Sequence, residues 1–219
     1  MGSLDFTVLK EYMPLFFEGI KFTIILSLLT VFFGVIFGTI LCFMKRNKYL
    51  KYIASAYIEL IRGTPLLLQI MIVYGGLPSF GIDLEPMPSV IIALAMNSSA
   101  YVAEIIRGGI EAVDKGQMEA ARSLGMTQFQ SMKLIIMPQA VKNILPAVGN
   151  EFVAVIKESS MASTIGVTEL MYSANVVSAA QWSMFEPLLC AAAFYFILTF
   201  SLGRLMSYLE RRMKASDIH

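Results

Sequence analysis

The chain has 219 residues, of which 57% are hydrophobic and 15% charged, and its mean hydropathy is +0.68. This composition is too apolar for an ordinary soluble domain and predicts a protein embedded in the lipid bilayer, without a nucleic-acid partner. The only histidine is the C-terminal His219. Histidine-based catalysis and a histidine or zinc metal site within the fold are therefore not expected.

Long apolar stretches predict an all-α fold with five membrane-spanning helices, because one span requires about 20 largely apolar residues. Residues 22–44 and 63–82 contain no charged side chain. The fourth stretch is interrupted by two glutamates and a lysine, so hydropathy supports it least. The predicted spans cover residues 16–44, 52–77, 88–112, 143–165 and 185–209.

Basic residues in the connections between spans are confined to alternate connections. They are Lys45, Arg46, Lys48 and Lys51, then Lys115, Arg122, Lys133 and Lys142, and finally Arg211, Arg212 and Lys214. The connections 77–88 and 166–187 contain neither lysine nor arginine. Because cytoplasmic loops are rich in basic residues, we predict an extracytoplasmic N-terminal segment, residues 1–15, and a cytoplasmic tail, residues 212–219.

The third connection is polar and begins with a predicted short helix. Asp114 and Gln117 form a capping-box pattern, which predicts a helix over residues 115–124. Gly125 suits the left-handed position that ends a helix. This connection is therefore predicted to be a folded element on the cytoplasmic side rather than an irregular loop.

A second helix is predicted from another cap at Thr127 and Gln130, and it is expected to end at Pro138. In the first helix, Ala120 and Ala121 leave a smooth surface that a partner can approach closely. The connection can be an amphipathic segment on the membrane surface or a docking element. The small side chains favour docking, because membrane-surface helices usually have a strongly apolar face.

This region resembles the EAA signature of the permease subunits of bacterial ABC importers. The matching residues are Glu119-Ala120-Ala121, Gly125 after three residues, and Ile135-Ile136-Met137-Pro138 after nine more. Met137 stands where the signature has leucine. Residues 58–69, 97–110 and 150–160 are similar to the polar amino acid branch of that family, the histidine, glutamine and arginine permeases. The resemblance extends over residues 14–212.

The resemblance implies a type I ABC importer permease fold over residues 16–211, with a coupling helix in the region 115–136 bound by separate ATP-binding cassette ATPase subunits. The implied contacts are Glu119, Ala120, Ala121, Ser123, Leu124, Gly125 and Met126. It also implies a second permease copy, identical or closely related, an extracytoplasmic substrate-binding protein, an amino acid substrate and a bacterial plasma membrane location.

The chain contains no G-x-x-x-x-G-K-[ST] stretch, the pattern that binds nucleotide phosphates in many ATPases. We therefore predict a transport subunit rather than an enzyme, with no cofactor of its own. ATP and Mg²⁺ would be bound by the partner ATPase.

Two similar stretches place charges within the second and third spans, Glu59 with Arg62 and Glu104 with Arg107. The two spans run in opposite directions, so equal depths predict crossed ion pairs, Arg62 with Glu104 and Glu59 with Arg107. Such pairs can simply hold two helices together, or they can line or gate a solute pathway.

The fourth span is too polar to face lipid, since it carries Glu151, Lys157 and Glu158 among several hydroxyl groups. It must be buried in the bundle or line an aqueous route. Lys157 and Glu158 are adjacent and point about 100° apart. Each of the two therefore needs another partner, which can come from across a subunit interface.

Small polar side chains near mid-depth are the predicted substrate contacts. Asn97, Ser98 and Tyr101 can hydrogen-bond an amino acid's ammonium and carboxylate, although such residues also bond neighbouring helices. Thr64-Pro65 predicts a bend in the second span. The full set is Thr64, Gln69, Asn97, Ser98, Tyr101 and Glu151.

The first span contains Gly34 and Gly38 in a G-x-x-x-G pattern. Small residues at this spacing allow another helix to approach closely. We therefore expect the first span to support the bundle rather than to line a pathway.

An alternative function is a stand-alone, ion-coupled secondary amino acid transporter, since the repeated Glu-x-x-Arg pattern is consistent with an internal duplication. Five spans and a capped cytoplasmic connection argue against it. A membrane-embedded enzyme is a third possibility, but the chain has no G-x-S-x-G or H-E-x-x-H stretch. A tightly bound ATPase would indicate the ABC importer permease and would argue against the secondary transporter.

Overall fold

The computed structural model describes residues 9–215, and the predicted terminal segments therefore lie partly outside the described residues. The elements in chain order are α1 (Leu9–Arg46), α2 (Lys51–Arg62), α3 (Leu66–Gly76), a 3-10 turn (Leu77–Phe80), α4 (Pro86–Glu111), α5 (Lys115–Ser123), α6 (Gln128–Ser131), a π-helical turn (Met132–Ile136), α7 (Met137–Glu158), a 3-10 segment (Ser159–Ile165), α8 (Leu170–Gln181) and α9 (Phe185–Ala215). No strand occurs within residues 9–215, so the all-α prediction is confirmed. Helix α1 begins at Leu9, within the predicted N-terminal segment.

Helices α1 and α4 share the most extensive contact and run parallel to each other. A Cβ atom at Gly34 would lie 2.7 Å from Ser98 Oγ, and one at Gly38 would lie 2.8 Å from Val102 Cβ. Both distances are shorter than real Cβ contacts, so the close approach expected from G-x-x-x-G is confirmed. The parallel direction agrees with the predicted first and third spans.

Two apolar clusters flank the α1–α4 pair. One joins α1, α3, α4 and the 3-10 segment 159–165 around Ile70 and Leu94. The other joins α1, α8 and α9 around Phe16 and Leu170. Between lipid-exposed helices, such contacts stabilise mainly through close packing, because lipid chains are as apolar as the side chains themselves.

The predicted second span is broken into two helices. Helix α2 meets α3 and its following 3-10 turn at an angle of 105°. Pro65 lies in the break with φ −63° and ψ 135°, and it has no N–H to continue α2. The sequence predicts a bend here, and the bend is large enough to replace the expected continuous helix with two elements.

The connection between α4 and α7 contains the first predicted helix with nearly the predicted bounds. Gly125 has φ +86°, so its left-handed conformation is confirmed. The capping box at Asp114 is wrong, because the Asp114 carboxylate accepts from Gly116 N at 2.6 Å. The amide oxygen of Gln117 instead accepts from Gln139 of α7 at 3.4 Å, so this side chain is directed across the connection.

The second predicted helix begins as expected but does not end at Pro138. Thr127 N donates to Gln130 Oε1 at 2.8 Å and Gln130 N donates to Thr127 Oγ1 at 3.2 Å, which confirms the second capping box. Helix α6 then continues through the π-helical turn into α7. Met137 N bonds the carbonyl of Met132, five residues earlier, and this wider turn accommodates the proline within a continuous helix.

Three helices of the described chain are long and apolar enough to cross a membrane: α1, α4 and α9. The bent α2–α3 pair would be a fourth if it crosses as one unit. Helix α7 is long enough to cross a membrane, but it is too polar to be counted with these helices. Helix α8 lies in the stretch 166–187, where the sequence predicts only a connection.

Candidate functional site

The bend between α2 and α3 is held by the side chain of Gln69. Because Pro65 has no N–H, the carbonyl of Ile61 lacks its usual helical donor. Gln69 Nε2 supplies that hydrogen bond at 2.8 Å and also donates to Thr64 Oγ1 at 2.9 Å. On its other side, Gln69 Oε1 accepts from Asn97 Nδ2 of α4 at 2.9 Å. We call Thr64, Gln69 and Asn97 the bend clamp.

Three predicted substrate contacts are therefore brought together, but inside the protein. Gln69 is 8% exposed and Asn97 is 5% exposed. Buried amides that bond one another and a freed carbonyl satisfy groups that would otherwise be costly in an apolar interior. This arrangement matches the alternative interpretation, in which such residues bond neighbouring helices.

Two of the other predicted substrate contacts, Glu151 and Tyr101, lie nearer the surface, whereas Ser98 is 1% exposed and packs against Gly34 of α1. Glu151 is half-buried on α7 and lies beside Ser98 of α4. Tyr101 is partly exposed, and the Arg62 guanidinium lies 5.3 Å from its ring centroid. A carboxylate and an aromatic ring with a stacked cation are thus accessible on this part of the chain.

Glu104 is the centre of a charge cluster. It contacts Lys45 Nζ at 2.7 Å, Arg107 Nη2 at 2.8 Å and Arg62 Nη1 at 4.0 Å, and its side chain is 18% exposed. The predicted Arg62–Glu104 pair is confirmed as the longest of these contacts. Lys45 also belongs to this cluster. Its membership is not predicted from the sequence, because Lys45 is treated there only as a basic residue of a connection.

The predicted Glu59–Arg107 pair is wrong. Arg107 instead pairs with Glu104 and, at 2.6 Å, with Glu111, both on its own helix. Glu59 is exposed and has no salt bridge within residues 9–215. Equal membrane depths for Glu59 and Arg107 require a straight second span. Because that span is bent by 105°, positions on α2 cannot be paired with positions on α4 by depth.

Helix α7 and the 3-10 segment after it expose a line of polar side chains seven residues apart. Its members are Asn143, Asn150, Lys157 and Thr164, and we call them the polar line. Along α7, seven residues are almost two helical turns, so the line drifts by only about 20° per step from Asn143 to Lys157. Thr164 is exposed on the 3-10 segment that follows. At 1.5 Å per residue the line extends for about 30 Å, the thickness of a bilayer's hydrocarbon core. Val155 and Ile156, on the other side of α7, are buried.

Lys157 is exposed and Glu158 is half-buried, and neither forms a salt bridge within the described chain. This agrees with the expectation that the two cannot pair well with each other. An exposed ammonium group at membrane depth requires water or a polar partner. The polar line is therefore unsuited to lipid contact.

The predicted coupling residues differ in exposure. Glu119, Ala120, Ser123, Leu124 and Gly125 are exposed, with Leu124 at 85%, and Met126 is half-buried. Ala121 is buried against the rest of the chain at 4% exposure. Sequence reasoning missed Phe129, which is 75% exposed on the following helix. The accessible surface is thus apolar as well as small.

Glu169 is a buried carboxylate that sequence reasoning places in a connection. Its oxygens accept from Met171 N at 2.9 Å, Tyr172 N at 2.7 Å and Tyr195 Oη at 2.6 Å. It therefore caps α8 and ties that helix to α9. Among the described residues, no group of three or more His, Cys, Asp or Glu side chains could hold a metal ion.

Helices long and apolar enough to cross a membrane, combined with an exposed polar line, are the features expected of a membrane transport protein. The comparisons identify the family. The family of binding-protein-dependent transport system inner membrane components matches residues 30–215, and this chain belongs to it.

Relatives of known name support the same assignment. The chain is 39% identical over 218 residues to the arginine transport system permease protein ArtQ of Bacillus subtilis, covering 98% of this chain and 100% of that protein. It is 42% identical over 211 residues to a putative glutamine transport system permease protein, GlnP, of Rickettsia conorii, covering 94% and 97%.

Solved structures share the fold. A crystal structure of an amino acid ABC transporter with histidines matches with a TM-score of 0.94 and 47% identity, covering 96% of this chain and 100% of that chain. The MetNI methionine ABC transporter in an inward-facing conformation matches with a TM-score of 0.68 and 17% identity over 90% of this chain, and this second match is evidence of the fold alone.

Proposed function

We propose that this chain is the membrane-spanning permease subunit of an ATP-driven importer of polar amino acids. The observation that carries the proposal is the polar line along α7, an exposed row of hydrogen-bonding side chains about as long as a bilayer is thick. The arginine and glutamine permeases among its relatives support this class of substrate.

In this proposal the chain crosses the plasma membrane of a bacterium five times. Helices α1, α4 and α9 each cross once, the bent α2–α3 pair crosses once, and α7 with its 3-10 segment makes the remaining crossing. The distribution of basic residues supports an extracytoplasmic N-terminus and a cytoplasmic C-terminus. Alternation of direction is consistent with the parallel packing of α1 and α4.

The polar line supports a pathway shared by two permease copies, identical or closely related. One chain leaves Asn150 and Lys157 exposed, and lipid would be a costly neighbour for both. A second copy facing α7 would enclose an aqueous route between the two chains. Glu151 and Tyr101 lie near this surface and would contact the amino acid as it passes, whereas Ser98 is buried against α1.

The connection between α4 and α7 would transmit work from the ATPase subunits. Ala120 and Leu124 are exposed on or beside α5, and Gly125 with φ +86° sets the turn to the next helix. A rigid, doubly capped segment joined directly to α7 can move that helix when it is pushed. ATP and Mg²⁺ would be bound by the ATPase, and an extracytoplasmic binding protein would deliver the amino acid.

The test is uptake by proteoliposomes that contain this permease, its ATPase and its binding protein. We expect arginine or glutamine to accumulate only with ATP, and Gly125→Asp to uncouple ATP hydrolysis from uptake, because aspartate is strained at φ +86°. Uptake by the permease alone, driven by an ion gradient, would instead establish a secondary transporter.

Water access to the polar line tests its role separately. In a variant with Cys42 and Cys190 replaced by serine, a cysteine at Asn150 should react with a membrane-impermeant thiol reagent. A cysteine at Phe32, which is exposed on the apolar α1, is the matched control and should stay unmodified. Equal protection of both positions would contradict an aqueous route along α7.

A further inference from the structure

A groove on the side of the α1–α4 pair is not used by the proposed transport function. It has a volume of about 550 Å³. Its walls include Phe33, Phe37 and Ile40 of α1, Ile92 and Met96 of α4, and Tyr57 of α2. Phe37 and Ile40 are about half exposed, so the groove is open to the surface of the molecule.

The groove offers no free hydrogen-bonding group. Tyr57 Oη donates to the Met96 carbonyl at 3.0 Å, and Ser99 Oγ donates to the same carbonyl at 2.7 Å. The two hydroxyl groups also lie 3.1 Å from each other. A polar amino acid would lose its hydration here without compensation. The chemistry of the walls therefore selects a hydrocarbon chain and separates this groove from the polar line.

A cationic rim lies at the end of α1 nearest to the groove. Lys48 and Lys51 follow Leu41, which also lines the groove, by seven and ten residues. Both lysines are exposed, and neither forms a salt bridge within the described chain. Their ammonium groups lie 6.0 and 4.7 Å from the ring centroids of the exposed Tyr49 and Tyr52. Tyrosines with lysines are typical of the membrane–water interface.

We propose that the groove and this rim bind an anionic phospholipid, with one acyl chain against α1 and α4 and the phosphate group at Lys48 and Lys51. Basic clusters beside a membrane helix attract anionic lipids. The acyl chain would contact Tyr57 and so add to the packing of α2 against α1 and α4. The inference depends on the proposed membrane placement of α1 and α4, but not on the transported solute or on the ATPase.

Tryptophan fluorescence can measure this binding on the full chain. Trp182 is the only tryptophan, so Trp182→Phe gives a dark background. Phe37→Trp then places a reporter in the groove, and Phe32→Trp places a matched reporter on α1 outside the groove. Each variant is reconstituted in phosphatidylcholine nanodiscs with increasing fractions of phosphatidylglycerol brominated in its chains, or of brominated phosphatidylcholine.

For Phe37→Trp, half-maximal quenching should occur at a fraction of brominated phosphatidylglycerol about fivefold lower than that of brominated phosphatidylcholine. For Phe32→Trp the two lipids should quench equally. Lys48→Gln with Lys51→Gln should remove the preference, whereas Arg211→Gln with Arg212→Gln, the same charge change on α9, should keep it.

Equal quenching by the two lipids at Phe37→Trp would overturn the proposal. So would a preference that survives Lys48→Gln with Lys51→Gln, or relief of quenching by soluble glycerol phosphate, which has the headgroup chemistry without acyl chains. The readout requires neither substrate nor ATP. A chain that shows no amino acid uptake but keeps the lipid preference would therefore contradict the transport proposal and leave this one standing.

Discussion

The bend clamp and the polar line use their hydrogen-bonding groups in opposite ways. At the clamp, Gln69 and Asn97 are buried, bond each other, and supply the donor that Pro65 lacks. Along α7, Asn150 and Lys157 are directed away from their own chain, and Lys157 has no salt bridge there. Polar residues in an apolar chain are therefore not equal evidence for a binding site, because paired groups hold the fold and exposed ones are available to a solute.

The comparison predicts that substitutions at the clamp reduce stability, whereas substitutions at the polar line reduce transport. The largest effect is expected for Gln69→Leu, which removes the hydrogen-bond partner of the Asn97 amide and leaves the Ile61 carbonyl with only the Thr64 hydroxyl at 3.5 Å. Each unsatisfied buried group costs about 1–3 kcal/mol, so we expect a loss of roughly 3 kcal/mol in the free energy of unfolding. Denaturant titration of the purified chain in detergent measures it.

Asn150→Leu is the matched control for Gln69→Leu, because it removes an amide of similar size from the polar line. It should change the unfolding free energy by no more than about 0.5 kcal/mol. If both variants lose the same stability, the distinction between paired and available polar groups is wrong for this protein.

The next effect concerns transport through the polar line. Asn150→Leu and Lys157→Leu each place an apolar side chain beside the proposed route of a charged solute. A lost polar partner of about 2 kcal/mol corresponds to roughly a thirtyfold lower initial rate of uptake. ATP-driven uptake in proteoliposomes measures this rate, and Leu145→Val, a neutral change on the same helix, should leave it unaltered.

A selectivity change is expected at Glu151, which is half-buried beside the polar line. Glu151→Gln keeps the shape and removes the negative charge. Uptake of arginine and lysine should fall about tenfold more than uptake of glutamine, because hydrogen bonds to charged groups are stronger than neutral ones. Competition among the three amino acids measures the ratio, and equal losses would exclude a charge contact.

The smallest effect is expected in the charge cluster. Glu104 contacts Lys45 at 2.7 Å and Arg62 at 4.0 Å, and both cations are partly exposed to solvent. Lys45→Gln should therefore destabilise the chain by about 1 kcal/mol, and Arg62→Gln by less than about half of that. The reverse order in unfolding titrations, carried out at low salt, would mean that the Arg62 contact dominates.

Much of the architecture is predictable from local patterns. The all-α fold, the cap at Thr127 and Gln130, the left-handed Gly125, the close approach at Gly34 and the membership in the permease family are all confirmed. Each depends on apolar content or on spacings within a few residues, and neighbouring elements cannot easily override such signals. The prediction that a helix ends at Pro138 is wrong, because the wider π-helical turn before it lets the helix continue although proline has no N–H.

The site is less predictable, since partners distant in sequence decide it. Arg107 pairs within its own helix rather than with Glu59, and Ala121 packs inward while Ala120 is exposed. Glu169 is read as a loop residue, although it is fully buried and caps a helix. None of these outcomes follows from the residue type or from the predicted depth in the membrane alone.

By itself the sequence determined that this chain belongs in a bilayer, where its apolar stretches lie, and that one polar segment must avoid lipid. Transfer free energies and backbone caps act on short stretches, so they can be evaluated before folding. Only the tertiary structure decided which polar groups form hydrogen bonds inside the protein and which remain exposed for a solute or a partner. The 105° bend moves α2 relative to α4 and gives Gln69 its partners, while Asn150 and Lys157 keep their polar ends on the surface.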